Sequence, residues 1–309
     1  MKAISIAFGL LPFVLAAAGP TERTAQVPQG EFRVVSDVVL INATVLDGHD
    51  RPVRGLPRDQ FRIFEDKAEQ NIAYFSEEEV PLSLAVIFDT SGSMDGKLPA
   101  MRSALASILQ SANAQDEFAL ITFANEPQIA VGWTRDPGEI QNRALVTGAH
   151  GQTSLLDALE TGLSMVKKAH NARKAIVIFS DGGDNHSRAS EREVLQSFAE
   201  ADVQIYAIDS MESTSTHVRA PEELMGPDLL DRLTDRVGGR YFQVDGGREL
   251  QRTAEQIGRE LRSQYLIGYV PLDAARDGRF HHVRVQLSRQ TGSPKLNVFW
   301  RHGYRSAGE

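Results

Sequence analysis

Hydrophobic positions along this chain follow two different grammars. From Phe32 to Leu46 the sequence FRVVSDVVLINATVL is rich in β-branched residues, and Asp47-Gly48 ends the run in a turn. Phe61–Phe64 and Ile72–Phe75 read as two more short strands, so this block predicts a small antiparallel β unit without a helix. At Leu84–Phe88 the pattern becomes a continuous apolar run, as in a strand buried on both faces. A helix over 98–109, a strand over Phe118–Phe123 and an edge strand over Ile129–Trp133 follow. Leu155, Leu159, Leu163 and Val166 recur at helical spacing. Lys174–Phe179 and Val203–Ile208 read as strands, as does the short run Arg240–Gln243. Helical patterns cover 189–201, part of 224–237, and 249–262.

Strands alternating with helices imply right-handed crossovers and a mainly parallel, doubly wound sheet covered on both faces. We therefore expect an α/β domain over 81–262. After Arg262 the β grammar returns, with strands at Tyr265–Tyr269, Phe280–Leu287 and Leu296–Trp300. Three strands before the α/β domain and three after it suggest one antiparallel β-sandwich-like unit, built from 31–80 and 263–309, in which the α/β domain is inserted. Two separate small β units are the alternative.

The N-terminus adds an address. Lys2 precedes an apolar stretch from Ala3 to Leu15, and Ala16, Ala17 and Ala18 follow it, the order of a secretory signal peptide. Residues 1–18 are expected to be a cleaved leader and 19–30 a flexible lead-in, giving an exported protein, periplasmic or secreted and bacterial, with no transmembrane span in the mature chain. The 309 residues include no cysteine, which excludes disulfides, thiolate metal sites and cysteine nucleophiles. A formal net charge of −8 without a basic run argues against a nucleic-acid partner.

Candidate chemistry falls in three loops. Asp89-Thr-Ser91-Gly-Ser93 follows the strand at Leu84–Phe88, Thr153 lies just before the helix led by Leu155, and Asp181 follows the strand at Lys174–Phe179. Ligands of open α/β sheets gather outside the carboxyl ends of strands, where two of these loops lie. Two carboxylates and three hydroxyls make a hard, all-oxygen donor set, suited to Mg²⁺ or Mn²⁺ and not to zinc or copper. Gly92 and Gly182 would relieve crowding in the turns.

Over 81–262 the sequence resembles the von Willebrand factor A family, which includes the integrin inserted domains. Asp89, Ser91, Ser93, Thr153 and Asp181 match, in chain order, the family's metal-ion-dependent adhesion site. The resemblance implies a Rossmann-like sheet. It also implies serines and threonine that approach the cation, aspartates acting largely through water, and an open position for a Glu or Asp of a protein partner. The flanking stretches LINATVLDGHDRPVRGLPRDQFRIFED and YLIGYVP…HHVRVQL resemble acidobacterial exported proteins related to that family.

Other residues fit blander roles. Asp184, His186 and Asp209 are expected on the same rim as solvated or supporting groups, Phe88, Phe123 and Phe179 in the core beneath, and His281-His282 as a strand-end pair. The polar stretch Ser210–Pro227 reads as a long loop beside the metal, a candidate for partner specificity. No G-x-S-x-G, P-loop or dinucleotide-binding motif is present. The expected function is a non-enzymatic, metal-dependent protein–protein interaction or adhesion module. A metal-dependent hydrolase and a structural envelope component with a fold-stabilising metal are the alternatives.

Overall fold

In the computed structural model, residues 38–211, 221–272, 277–288 and 295–306 are described. The expected leader and lead-in lie outside them. β1 (Val39–Leu46) is followed by β2 (Phe61–Glu65), β3 (Ala68–Gln70) and β4 (Ile72–Ser76). The α/β succession then runs β5 (Leu82–Asp89), α1 (Leu98–Leu109), β6 (Glu117–Phe123), β7 (Pro127–Thr134), α2 (Pro137–Leu145), α3 (Leu155–Lys167) and β8 (Arg173–Ser180). It continues through α4 (Glu191–Ala199), β9 (Gln204–Met211), α5 (Pro221–Arg236), β10 (Arg240–Asp245) and α6 (Gly247–Arg262). β11 (Gln264–Tyr269), β12 (Phe280–Leu287), β13 (Asn297–Trp300) and β14 (Gly303–Arg305) follow.

The central sheet has the order β10-β9-β8-β5-β6-β7. All neighbours are parallel except the β6–β7 hairpin, which places β7 antiparallel at the edge. Every residue of β5 is buried, and alternate side chains serve opposite faces. Leu82, Leu84, Val86 and Phe88 join one apolar cluster with α1 and α6 residues; Ala85 and Ile87 join another with α3, α4 and α5 residues. From β5 the chain turns first to β6 on one side and later to β8 on the other. That reversal opens a crevice at the carboxyl ends of β5 and β8, where open sheets of this kind bind ligands.

Two four-stranded antiparallel sheets accompany it, β13-β1-β11-β4 and β14-β12-β2-β3. Each combines strands from before and after the α/β succession: β1 pairs with β11, and β2 pairs with β12. Val39, Ile41, Ile63, Tyr265, Ile267, Val283 and Val285 share one buried cluster between them. The six strands expected here are eight, because three-residue β3 and β14 are too short to show an alternation. The stretch expected as a long loop over Ser210–Pro227 is also corrected: β9 runs to Met211 and α5 begins at Pro221, leaving 212–220 outside the described residues.

Candidate metal centre

Asp89 ends β5 at the bottom of the crevice and is fully buried. Its Oδ1 accepts the Ser91 amide at 2.8 Å, a bond that turns the chain sharply out of the strand. Its Oδ2 accepts the Ser180 hydroxyl at 2.6 Å, joining the ends of two adjacent strands. The 3₁₀ turn Gly92–Met94 then places Ser91 Oγ 3.1 Å from Ser93 Oγ. Ser91 is buried and Ser93 exposed, so the cluster begins in the core and ends at solvent.

Backbone hydrogen bonds lock the second loop onto the first. Gly92 N donates to Gly151 O at 3.0 Å and His150 N to Thr90 O at 2.7 Å, while Ser154 N donates to Ala124 O at 2.9 Å. Gly92 does not adopt a left-handed conformation; a β-carbon there would stand 3.3 Å from Gly151 O, and that close approach is what a glycine permits. Thr153 is held on both sides by the third loop. Its amide donates to Asn185 Oδ1 at 2.9 Å, and its carbonyl accepts Asn185 N at 3.0 Å and His186 N at 3.1 Å.

Asp181 leaves β8 beside Asp89. Its Oδ2 takes Lys97 Nζ at 3.0 Å, and its Oδ1 is buried with no hydrogen-bond partner among the described residues. Gly182 follows at φ 83°, and its backbone touches Gly226 of α5 so closely that a β-carbon on Gly226 would fall 1.5 Å from Gly182 O. The start of α5 therefore braces this loop.

These contacts leave excess negative charge in a dry place. Burial, followed by the charge of Asp181, pushes the Asp89 carboxyl up to about 7, against the hydrogen bonds from Ser180 and Ser91. Lys97 supplies one compensating charge for two carboxylates. A divalent cation is the chemical complement of such a cluster, and the orphaned Asp181 Oδ1 is a donor available to it or to its water. Octahedral Mg²⁺, with bonds near 2.0–2.1 Å, needs adjacent oxygens roughly 2.9 Å apart. The Ser91–Ser93 separation of 3.1 Å is close to that edge.

The neighbours fall into supporting roles. Asp184 accepts the Leu156 amide at 2.8 Å and the Ser187 hydroxyl at 2.6 Å, capping α3 from another loop. Asp209 is fully buried and accepts the Tyr241 hydroxyl at 2.8 Å, so of the two roles expected for it, solvated or supporting, it is not the solvated one. His186 is exposed and lines a groove of about 560 Å³ with Thr90, Asn125, Arg143, Val146 and His150. Phe88, Phe123 and Phe179 are buried beneath, the rings of Phe88 and Phe179 lying 5.6 Å apart. Ser180, Lys97 and Gly226 were not singled out from the sequence. Ser180 had a signal, a hydroxyl immediately before Asp181 at a buried strand end; the other two meet the site only through long-range packing.

Residues 84–183 match the family model described as von Willebrand factor type A domain, a span that holds all five candidate ligands. Inter-alpha-trypsin inhibitor heavy chain H4 of Bos taurus is 28% identical over 159 residues, covering 45% of this chain and 17% of that protein. Its counterpart from Sus scrofa is 26% identical over 144 residues, covering 42% and 16%. This chain thus spans about a sixth of the length of those relatives. Among solved structures, a von Willebrand factor type A protein from Catenulispora acidiphila aligns over 90% of this chain and 75% of its own, at a TM-score of 0.52 and 12% identity. Those likenesses establish the fold: the central layer is a von Willebrand factor A-like α/β sheet, mixed and mainly parallel, accompanied by separate antiparallel sheets.

Proposed function

We propose that the protein is an exported, non-enzymatic binding module that holds Mg²⁺ or Mn²⁺ on Asp89, Ser91, Ser93, Thr153 and Asp181 and engages the carboxylate of a protein partner there. The supporting observation is that the three loops bearing those residues are tied together beside the carboxyl ends of β5 and β8, where the sheet order reverses, by the Gly92–Gly151, Thr153–Asn185 and Ser180–Asp89 hydrogen bonds. Asp89 and Asp181 provide the neutralising charge, and the three hydroxyls provide neutral oxygens. When bound, the cation supplies a Lewis-acidic position for an incoming Glu or Asp side chain. Ser93, exposed at the rim, marks the side from which that residue enters, and the groove beside His150 and His186 offers the partner's neighbouring residues a surface. Residues 81–262 would be the binding module, with 31–80 and 263–309 as its platform. No helix among the described residues is long and apolar enough to cross a membrane.

The test is affinity capture from the native envelope with the wild-type chain and with Asp89→Ala, each in Mg²⁺ and in EDTA. The proposal expects a partner retained by wild type in Mg²⁺ and lost in the other three conditions. A partner retained equally in EDTA and by Asp89→Ala would contradict it.

A further inference from the structure

A second group of metal-ligating side chains gathers in the flanking β sheets. Glu65 ends β2 and Asp66 follows it in the turn to β3, while His281 lies on β12 and Asp277 precedes that strand. His281 Nδ1 stands 2.8 Å from Asp66 Oδ2 and 3.6 Å from Glu65 Oε1, and its Nε2 stands 3.3 Å from Asp277 Oδ1. Ligand atoms of Glu65, Asp66 and His281 all lie within 4.8 Å of one another.

Glu65 is the informative member because it is only 5% exposed. Its Oε2 accepts the hydroxyls of Tyr269 at 2.6 Å and Tyr304 at 3.1 Å, both neutral donors. A buried carboxylate is normally matched by a cation or a metal. Among the described residues the ion-pair partner of Glu65 is His281, and Nδ1 carries at most one hydrogen, already committed to Asp66 at 2.8 Å. Glu65 Oε1 faces the same nitrogen from 3.6 Å, beyond hydrogen-bonding reach. A proton at that point serves one carboxylate; a metal ion serves both.

The distances suit a small ion. Tetrahedral Zn²⁺, with bonds near 2.0–2.1 Å, sets its ligand atoms about 3.3 Å apart. The observed 2.8 and 3.6 Å bracket that edge. Metal-bound histidines donate their other N–H to a carboxylate, and Asp277 is placed to receive it from Nε2. The Tyr304 ring, 5.5 Å from the imidazole and inclined by 25°, fixes the plane of that ring.

We propose that Glu65, Asp66 and His281 form a second cation site, for a borderline divalent ion of the Zn²⁺ type completed by water, that acts as a structural staple. Glu65 and Asp66 precede the α/β succession in the chain and His281 follows it, 215 positions beyond Asp66. The ion clamps the β2–β3 turn onto β12 and so ties the two flanks together. With no cysteine in the chain, no disulfide can do so. Cross-links across long loops remove the most entropy from the unfolded chain in the loop-closure model.

The proposal is tested by titrating the full chain with ZnCl₂ in saturating Mg²⁺, following heat of binding and melting temperature. Wild type and Asp89→Ala should each take up zinc at this site and melt higher with it, whereas Asp66→Asn and His281→Gln should bind about tenfold more weakly or worse. Asp66 is half exposed, and asparagine tolerates its left-handed φ of 44°, so Asp66→Asn leaves the core intact. No zinc uptake, or uptake unchanged in both Asp66→Asn and His281→Gln, would overturn the proposal.

Discussion

Ser180 donates its hydroxyl to Asp89 Oδ2 at 2.6 Å, across 91 residues of sequence and with both groups fully buried. The bond aims one carboxylate of the candidate centre from the neighbouring strand. Ser180→Ala should weaken Mn²⁺ binding by roughly tenfold, as losses of outer hydrogen bonds at metal sites do. Isothermal titration checks it, and unchanged affinity would remove Ser180 from the account.

Lys97 and a bound cation should act as alternatives in offsetting the charge of Asp89 and Asp181. The ammonium lies 3.0 Å from Asp181 Oδ2, and both side chains are largely shielded from water. Lys97→Met should therefore destabilise the chelated protein by on the order of 2 kcal/mol, the scale of a hydrogen bond to a charged group. The penalty should shrink in saturating Mg²⁺. Thermal melts of both proteins in EDTA and in Mg²⁺ measure the difference, and an equal penalty in the two conditions would count against it.

The Gly182–Gly226 contact should be intolerant of any side chain. A β-carbon on Gly226 meets Gly182 O at 1.5 Å, and the contacting atoms are backbone, so relief requires moving the loop or α5. Gly226→Ala should cost about 1–3 kcal/mol or more, the scale of overpacking. It should also weaken cation binding, because the loop that moves carries Asp181. Denaturant unfolding and cation titration on the same variant read the two effects; wild-type values in both would refute the contact's importance.

At the opposite end of the sheet, Glu117 should confer an acid-sensitive part of the stability. Burial pushes its carboxyl up, but hydrogen bonds from Ser83 Oγ at 2.6 Å, His170 N at 2.6 Å and the His170 ring at 2.8 Å outweigh it and hold the pKa below the ordinary value. A lowered folded-state pKa gives stability that is fully present above the unfolded value and lost as pH falls through the folded one. The gap in melting temperature between wild type and Glu117→Gln should be fully open above the ordinary carboxylate pKa of about 4.3 and close as pH falls through the lower folded-state value. A gap independent of pH would contradict the assignment.

Much of this architecture was legible because buried strands and amphipathic helices imprint their period on the sequence. The helix expected over 98–109 and the strand expected over Phe280–Leu287 form with those bounds. α2 was missed: with only Ile140 and Ala144 buried, it has hardly an apolar stripe to read, although Asp136 and Pro137 give it a proper N-terminal cap. The five candidate ligands could be named because each sits at a strand end or helix start with a short local signature. What surrounds them could not. Lys97 reaches Asp181 across 84 residues, and no local pattern encodes that reach. The pairing of Glu65 and Asp66 with His281 was equally hidden, since it depends on the register of β2 against β12, and His281-His282 read from sequence as a mere strand-end pair.

Asp89, Ser91, Ser93, Thr153 and Asp181 are proposed to hold one divalent cation. The most direct test is Mn²⁺ binding followed by electron paramagnetic resonance on the wild-type chain, Asp89→Ala and Thr153→Ala, with Mg²⁺ as competitor. Wild type should show a Mn²⁺ site that Mg²⁺ displaces, lost in Asp89→Ala and weakened in Thr153→Ala. Displaceable binding that is the same in all three proteins, or no such binding in wild type, would contradict it.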